Sequence, residues 1–348
     1  MTTNRSLYLS AAETARRVYG AMLQGKTGSW SMDMNGWDWV PGVGVIAIGE
    51  YARRSGQAEI MEGLDDWARR NIGKSERLRV INAVAPFAVL PELYAYTGNS
   101  VYEMAAARAG QWLTEEAPRT KEGAWEHTVT EDVKFAEQVW ADTVFMAVLV
   151  LARVAKMTGN RAFAEEAVHQ LLLHMRLLQD EATSLMFHGW NCEEGHPMSG
   201  ARWTRANAWV AAGIPMIAEA MEGLASLPKE IIDRYRELMG ATARYQRGDG
   251  LWPTVLDRPE FYPETSGSAG IAYGMKRGIH SGWLDAGLAA QADLTLKAVL
   301  DLVPEDGIVQ GVSGGTPVMD SIEAYNSIPR HPTLYGQGLV LMLLSEYR

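Results

Sequence analysis

Apolar positions along this chain recur at helical spacing far more often than at the alternation of strands. Over residues 10–23, Ala11, Ala15, Val18, Ala21 and Met22 share one side of a helix, which predicts an amphipathic element. Ser10 is the expected N-cap, with Glu13 three residues later completing a capping box. A second helix is expected over residues 43–54. A punctuation pattern then repeats. Ser55-Gly56-Gln57, Thr97-Gly98-Asn99 and Thr158-Gly159-Asn160 each read as a helix stop, a polar cap and a new helix. A chain of 348 residues holds about five or six such hairpins of roughly 40 to 60 residues each. Residues 185–190 and 308–312 are at best short ribbons. The terminal run over 338–347 is strongly apolar, so it is expected to pack back on the rest. Nothing reads as a linker, so one domain is expected over residues 1–348. A closed α/α toroid and an open solenoid both fit the hairpins, and the apolar last helix argues against a solenoid cap.

The run over 137–152 (EQVWADTVFMAVLVLA) reads as a buried helix with one anomaly. On that helix Asp142 shares a face with Gln138, Val139, Phe145, Met146 and Leu149. A carboxylate there is costly unless it is paired, neutralised or used. It either caps a neighbouring helix or does chemistry. Desolvation is expected to raise its pKa, as a general acid near neutral pH requires.

Composition narrows the function. The net charge is −10 and no basic run offers a phosphate track, which argues against a nucleic-acid partner. The longest apolar run, 144–152, falls short of the ~20 residues of a membrane span. Residues 1–19 lack a signal-peptide pattern, and Cys192 is the single cysteine, so a cytoplasmic enzyme is expected. Trp is frequent, 12 against 6 Phe, as in a cleft of flat rings that takes sugars. Residues 30–41 read as a tryptophan-rich loop, and polar, aromatic loops over 121–130, 187–209, 248–265 and 311–335 are the expected cleft builders.

No dinucleotide fingerprint, phosphate loop, H-E-x-x-H or Cys/His cluster is present, and His188 and His196 flank Cys192 at no usual zinc spacing. No metal and no cofactor are expected. What remains is carboxylate chemistry in an aromatic cleft. Trp203-x-Arg205-x-x-x-Trp209, preceded by His188-Gly189-Trp190, offers a cation between two indoles. It reads as a grip on a substrate carboxylate or as an Arg packed on rings for structure. His127 in Trp125-Glu126-His127 is a weaker candidate.

With these residues the sequence resembles glycoside hydrolase family 105, the unsaturated glucuronyl/galacturonyl hydrolases related to family 88. The likeness spans most of the chain. It includes Trp37-Asp38-Trp39, Ile81-Asn82-Ala83-Val84-Ala85-Pro86, the Gln138–Met146 run, His188-Gly189-Trp190, Trp203-Thr204-Arg205-Ala206-Asn207-Ala208-Trp209, Tyr262-Pro263-Glu264-Thr265-Ser266 and Tyr335-Gly336-Gln337-Gly338. The resemblance implies an all-α (α/α)6 barrel. It also implies removal of a 4,5-unsaturated uronic acid from the non-reducing end of lyase-generated oligosaccharides by hydration of the C4=C5 vinyl ether. Asp142 matches the catalytic Asp, the general acid/base. Trp39, Asn82, His127, His188, Trp203, Arg205 and Trp209 match substrate-binding positions. Asn82 stands where many members carry a second Asp, and Ala206 where Gly is common. Two other readings remain. One is an α/α-barrel glycosidase or epimerase acting on saturated sugars, with Glu264 or Asp257 as its second carboxylate. The other is a non-catalytic carbohydrate-binding relative.

Overall fold

Helices pair along the chain, and in every pair but one the second member is the more deeply buried. In the computed structural model, which describes residues 2–25, 28–77 and 79–347, the pairs run in order. Helix α1 (Thr2–Leu23) precedes α2 (Trp39–Ser55), α3 (Ala58–Asn71) precedes α4 (Leu90–Thr97), and α5 (Ser100–Glu115) precedes α6 (Leu149–Thr158). Then α7 (Arg161–Leu178) precedes α8 (Thr204–Met221), and α9 (Lys229–Ala243) precedes α10 (Thr265–His280). Last, α11 (Ala289–Asp301) and the single-turn α12 (Ile322–Tyr325) lead to α13 (Leu334–Ser345). In the exception, α3/α4, the buried piece is the 3-10 turn Asn82–Val89 that leads into α4. Residues 1 and 348, the ends of the expected single domain, lie outside the described residues.

The even-numbered helices through α10, with α13, form a closed inner ring. Helix α2 packs on the 3-10 turn Asn82–Val89 that leads into α4, that turn packs on α6, α6 on α8, α8 on α10, α10 on α13, and α13 back on α2. Inner helices are apolar nearly all round, as a doubly covered helix must be; every residue of α13 is buried. The remaining long helices cover the ring from outside, each with one apolar face. This is an (α/α)6 barrel. Among the described residues no helix is long and apolar enough to cross a membrane.

The two ends of the barrel are built differently. Inner-to-outer connections are tight. Gly56, Gly98 and Gly159, at φ 66°, 69° and 65°, end α2, α4 and α6 in the left-handed conformation that glycine adopts without steric cost. Outer-to-inner connections are long, and they meet at the end where the inner helices begin. At the tight end a charged cluster fills the ring. Glu50, 2% exposed, pairs with Arg53 and, at 2.6 Å, with Arg153; Arg277 reaches Glu219 at 2.5 Å. Cations suit this position because inner-helix C-termini converge there.

Several expected boundaries move. Helix α1 starts at Thr2, so Ser10 lies within it and caps nothing. Helix α2 starts at Trp39 rather than Val43; the Asp38 carboxylate accepts from Trp39 N at 2.7 Å, and Pro41 falls in the first turn, where no N–H is needed. The largest change concerns 137–152. Glu137 takes φ +56°, strand β1 (Gln138–Trp140) pairs antiparallel with β2 (Gly189–Asn191), and the chain becomes helical only from Asp142. A π-turn, Val144–Val148, then leads into α6. Asp142 therefore sits in the first turn of a helix, and Gln138 is not on its face. Strands β3 (Trp252–Pro253) and β4 (Pro263–Glu264) make a second ribbon. The ribbon expected over 308–312 forms no strand; Ser313 makes only an isolated bridge to Arg330.

Candidate active site

The β1–β2 ribbon assembles the chemistry. Ala141 N donates to His188 O at 3.0 Å and His127 N donates to Gln138 O at 2.8 Å. These two bonds bring His127, Asp142 and His188 together from three separate stretches. His127 and Asp142 border a cavity of about 710 Å³ at the loop-rich end, lined also by Trp39, Asn82, Trp203 and Arg205, whereas His188, expected to bind substrate, lies behind Asp142 and does not line it. These residues come from the starts of inner helices or the loops just before them.

Asp142 is 14% exposed, and its Oδ2 lies 3.4 Å from His188 Nε2. The two atoms face each other without a well-aligned hydrogen bond, and neither has another hydrogen-bond partner among the described residues. Behind it, His188 is 1% exposed, its Nδ1 2.7 Å from the Tyr325 hydroxyl and its ring 4.3 Å from Trp203. His127 stacks on Trp140 at 4.3 Å and 9°, with Nδ1 3.1 Å from Thr143 Oγ1. Burial pushes His127 down to about 4, so it is neutral at pH 7. His188 is also lowered by burial, against the opposing pull of Asp142.

The expectation of a raised Asp142 pKa is corrected. Burial pushes the carboxyl up, but the His188 contact and the charges of His188, His127 and Arg205 outweigh it and hold it below the usual range. With both imidazoles neutral at pH 7, the His188 contact and the Arg205 charge remain. The empty cavity thus holds an ionised Asp142.

Arg205 is not a free grip. It is 1% exposed and sandwiched between Trp203, 4.3 Å from its guanidinium carbon, and Tyr335, at 4.6 Å. Nη1 donates to Ser313 O at 3.1 Å and Ser266 Oγ at 3.3 Å; Nη2 donates to Gly314 O at 2.8 Å and Thr316 Oγ1 at 3.3 Å. Its work is to hold the cavity wall at Gly315 and Thr316. Trp209 does not reach the cavity. It is fully buried, 5.0 Å from the Phe145 ring, one helical turn deeper in α8 than Arg205.

Neither carboxylate considered as a second acid lines this cavity. Glu264 is fully buried and accepts from Ser266 N, Ser266 Oγ, Gly267 N and Ser313 N while capping α10. Asp257 pairs with Arg202 at 3.1 Å. Asn82 is 7% exposed, and its Oδ1 has no partner among the described residues. Sequence reasoning missed Glu131 and Phe135; Trp30 and the Gly315–Val318 wall lie in loops it singled out but were not named as site residues, and Trp140 was in view within the Asp142 run but given no role. His196 pairs with the exposed Glu194, away from His188, and Glu122, Glu137 and Cys192 form a separate carboxylate–thiol group.

A closed (α/α)6 ring with one carboxylate at the floor of a tryptophan-lined cleft is the architecture of a carbohydrate-active barrel enzyme. The family model of Glycosyl Hydrolase Family 88 matches residues 14–348, and the chain belongs to that family. It is 34% identical over 312 residues, 89% of each chain, to the unsaturated rhamnogalacturonyl hydrolase YesR of Bacillus subtilis. A possible member of family GH105 from Klebsiella pneumoniae superposes with a TM-score of 0.90 at 29% identity, over 97% of this chain and 92% of the other. The unsaturated glucuronyl hydrolase of Bacillus sp. GL1, at 16% identity, shares the fold, with a TM-score of 0.74 over 97% of this chain and 96% of the other.

Proposed function

We propose that this enzyme removes a 4,5-unsaturated uronic acid from the non-reducing end of oligosaccharides left by polysaccharide lyases, with Asp142 as general acid and then general base. The likeness to YesR favours rhamnogalacturonan-type fragments. The observation that carries the reading is Asp142 itself: a carboxylate open to the cavity, backed by His188 and set in the first turn of an inner helix.

The surroundings suit an anionic sugar. The inner helices start at the loop-rich end, so the positive ends of their dipoles point toward the cavity. Converging helix N-termini favour an anion. The bound uronate places a second negative charge in the cavity of Asp142, which raises its pKa, so binding itself loads the acid. Protonated Asp142 gives its proton to C4, and the positive charge at C5 spreads onto the ring oxygen. The Asp142 carboxylate then takes a proton from the water that bonds to C5. The resulting hemiketal opens to a ketone at C5 by breaking the bond to the ring oxygen. C1, now a hemiacetal, collapses to an aldehyde and releases the aglycone. Breakage at C1 therefore needs no nucleophile, unlike the two-carboxylate schemes of ordinary glycosidases.

The test is the ultraviolet absorbance of the C4=C5 chromophore on mixing with unsaturated disaccharides from pectin, glycosaminoglycan and ulvan lyases. Loss of absorbance with release of the second sugar is expected. Release of sugar from saturated analogues, with the chromophore of the unsaturated ones intact, overturns the reading.

A further inference from the structure

Tyr325 stands on the one-turn helix α12, within the long connection from α11 to α13 that also carries the Gly315–Val318 wall. It is fully buried, its hydroxyl 2.7 Å from His188 Nδ1. The same oxygen accepts from Met319 N at 3.2 Å. Tyr262 pins the helix from outside, donating from its hydroxyl to Tyr325 O at 3.3 Å and from its backbone N–H to Asn326 Oδ1 at 3.1 Å. The Ser199 hydroxyl also lies beside the phenol.

A phenol has one proton. With Met319 N–H occupying a lone pair of the oxygen, the proton is free to point at His188 Nδ1. A neutral imidazole that accepts at Nδ1 carries its hydrogen on Nε2. Nε2 is the atom that faces Asp142 Oδ2. The opposite tautomer would set a nitrogen lone pair against a carboxylate oxygen that has no other partner.

We propose that Tyr325 is a positioning residue for the hydrolase reaction: it fixes His188 as the Nε2–H tautomer, so that His188 donates to Asp142 and orients its carboxylate toward the substrate. The proposal rests on Asp142 being the acid/base. It assigns a catalytic duty to the connection that also supplies the Gly315–Val318 wall, so cavity wall and acid are set by one segment. The groups facing Asp142 and His188 are His127, Arg205 and Tyr325, and none of the others contacts Nδ1 of His188.

Two measurements test it. In wild-type protein labelled with 15N-histidine, His188 is expected to show a protonated Nε2 and an unprotonated Nδ1 at pH 7; a protonated Nδ1 overturns the proposal whether or not any variant folds. In Tyr325→Phe, kcat is expected to fall by about 10–100-fold with KM little changed, the scale seen when partners orienting a catalytic ligand are lost. The limb of the pH–rate profile governed by Asp142 should move to higher pH, because its carboxylate loses a donor. A folded Tyr325→Phe with wild-type kcat and an unmoved profile overturns the proposal. Activity retained in Asp142→Asn sinks the acid/base reading instead, and leaves the tautomer measurement standing by itself.

Discussion

His188 Nε2 lies 3.4 Å from Asp142 Oδ2, and this contact, with the nearby Arg205 charge, counters the rise that burial alone would impose on the carboxyl pKa. Asp142 is thus ionised at neutral pH, and in the proposed mechanism an arriving anionic substrate favours its protonated form. Asp142→Asn keeps the shape and removes the titration. Its rate of chromophore loss should fall by about 10²–10⁴-fold, the usual share of general acid–base catalysis. Its thermal midpoint should change little, and wild-type turnover in the folded variant would contradict the mechanism.

Asn82 brings an unpartnered amide oxygen to the cavity that Asp142 borders. Asn82→Asp introduces a second negative charge, which favours the protonated form of Asp142. The Asp142 limb of the pH–rate profile should move upward. An unmoved limb would mean that position 82 does not feel the acid.

Arg205→Lys keeps the charge and loses the planar fork. Gly314 O and Thr316 Oγ1 would each lose a donor, at a cost of about 1–3 kcal/mol for buried groups left unmet. Because those contacts hold the wall, KM should rise as well. Denaturant unfolding and steady-state kinetics measured together check both effects; an unchanged KM with full stability would show that the wall stands without the fork.

At the opposite end, Glu50 answers Arg53 and Arg153. Glu50→Gln leaves those cations underpaired, with an expected loss of about 3–5 kcal/mol, while turnover per folded molecule stays near wild type. Burial pushes the Glu50 carboxyl up, but the charges of Arg53 and Arg153 outweigh it, so its folded pKa lies below the ordinary value. Its contribution is present above the unfolded carboxyl value, about 4.3, and is lost as pH falls through the folded pKa. Wild-type stability should therefore drop more steeply on acidification than that of Glu50→Gln, as paired denaturant titrations would show.

The ring was legible because its punctuation is local. Gly56, Gly98 and Gly159 stop helices through their own backbone, and the apolar run near the end announces a helix covered on all sides. The start of the Asp142 helix was not legible. Gln138-Val139-Trp140 is as apolar as the helix that follows, and only its pairing with Gly189–Asn191, some fifty residues away, makes it a strand. The same long-range pairing brings up His188, so the direction of the Asp142 shift was hidden too. Arg205 and Trp209 stand one turn apart on a common face of α8, yet one reaches the cavity and the other the core. Depth along a barrel axis leaves no mark in periodicity. Tyr325 has no local signal at all, because its meaning comes from a contact with His188 across 137 positions of chain.

The long connections at one end of the ring and the tight glycine stops at the other separate two kinds of inheritance. Segments such as 24–38 and 302–333 can lengthen, shorten or change composition without disturbing how neighbouring helices interlock. A ring of this kind can therefore keep its helix packing while the loops that line the cavity at its other end change.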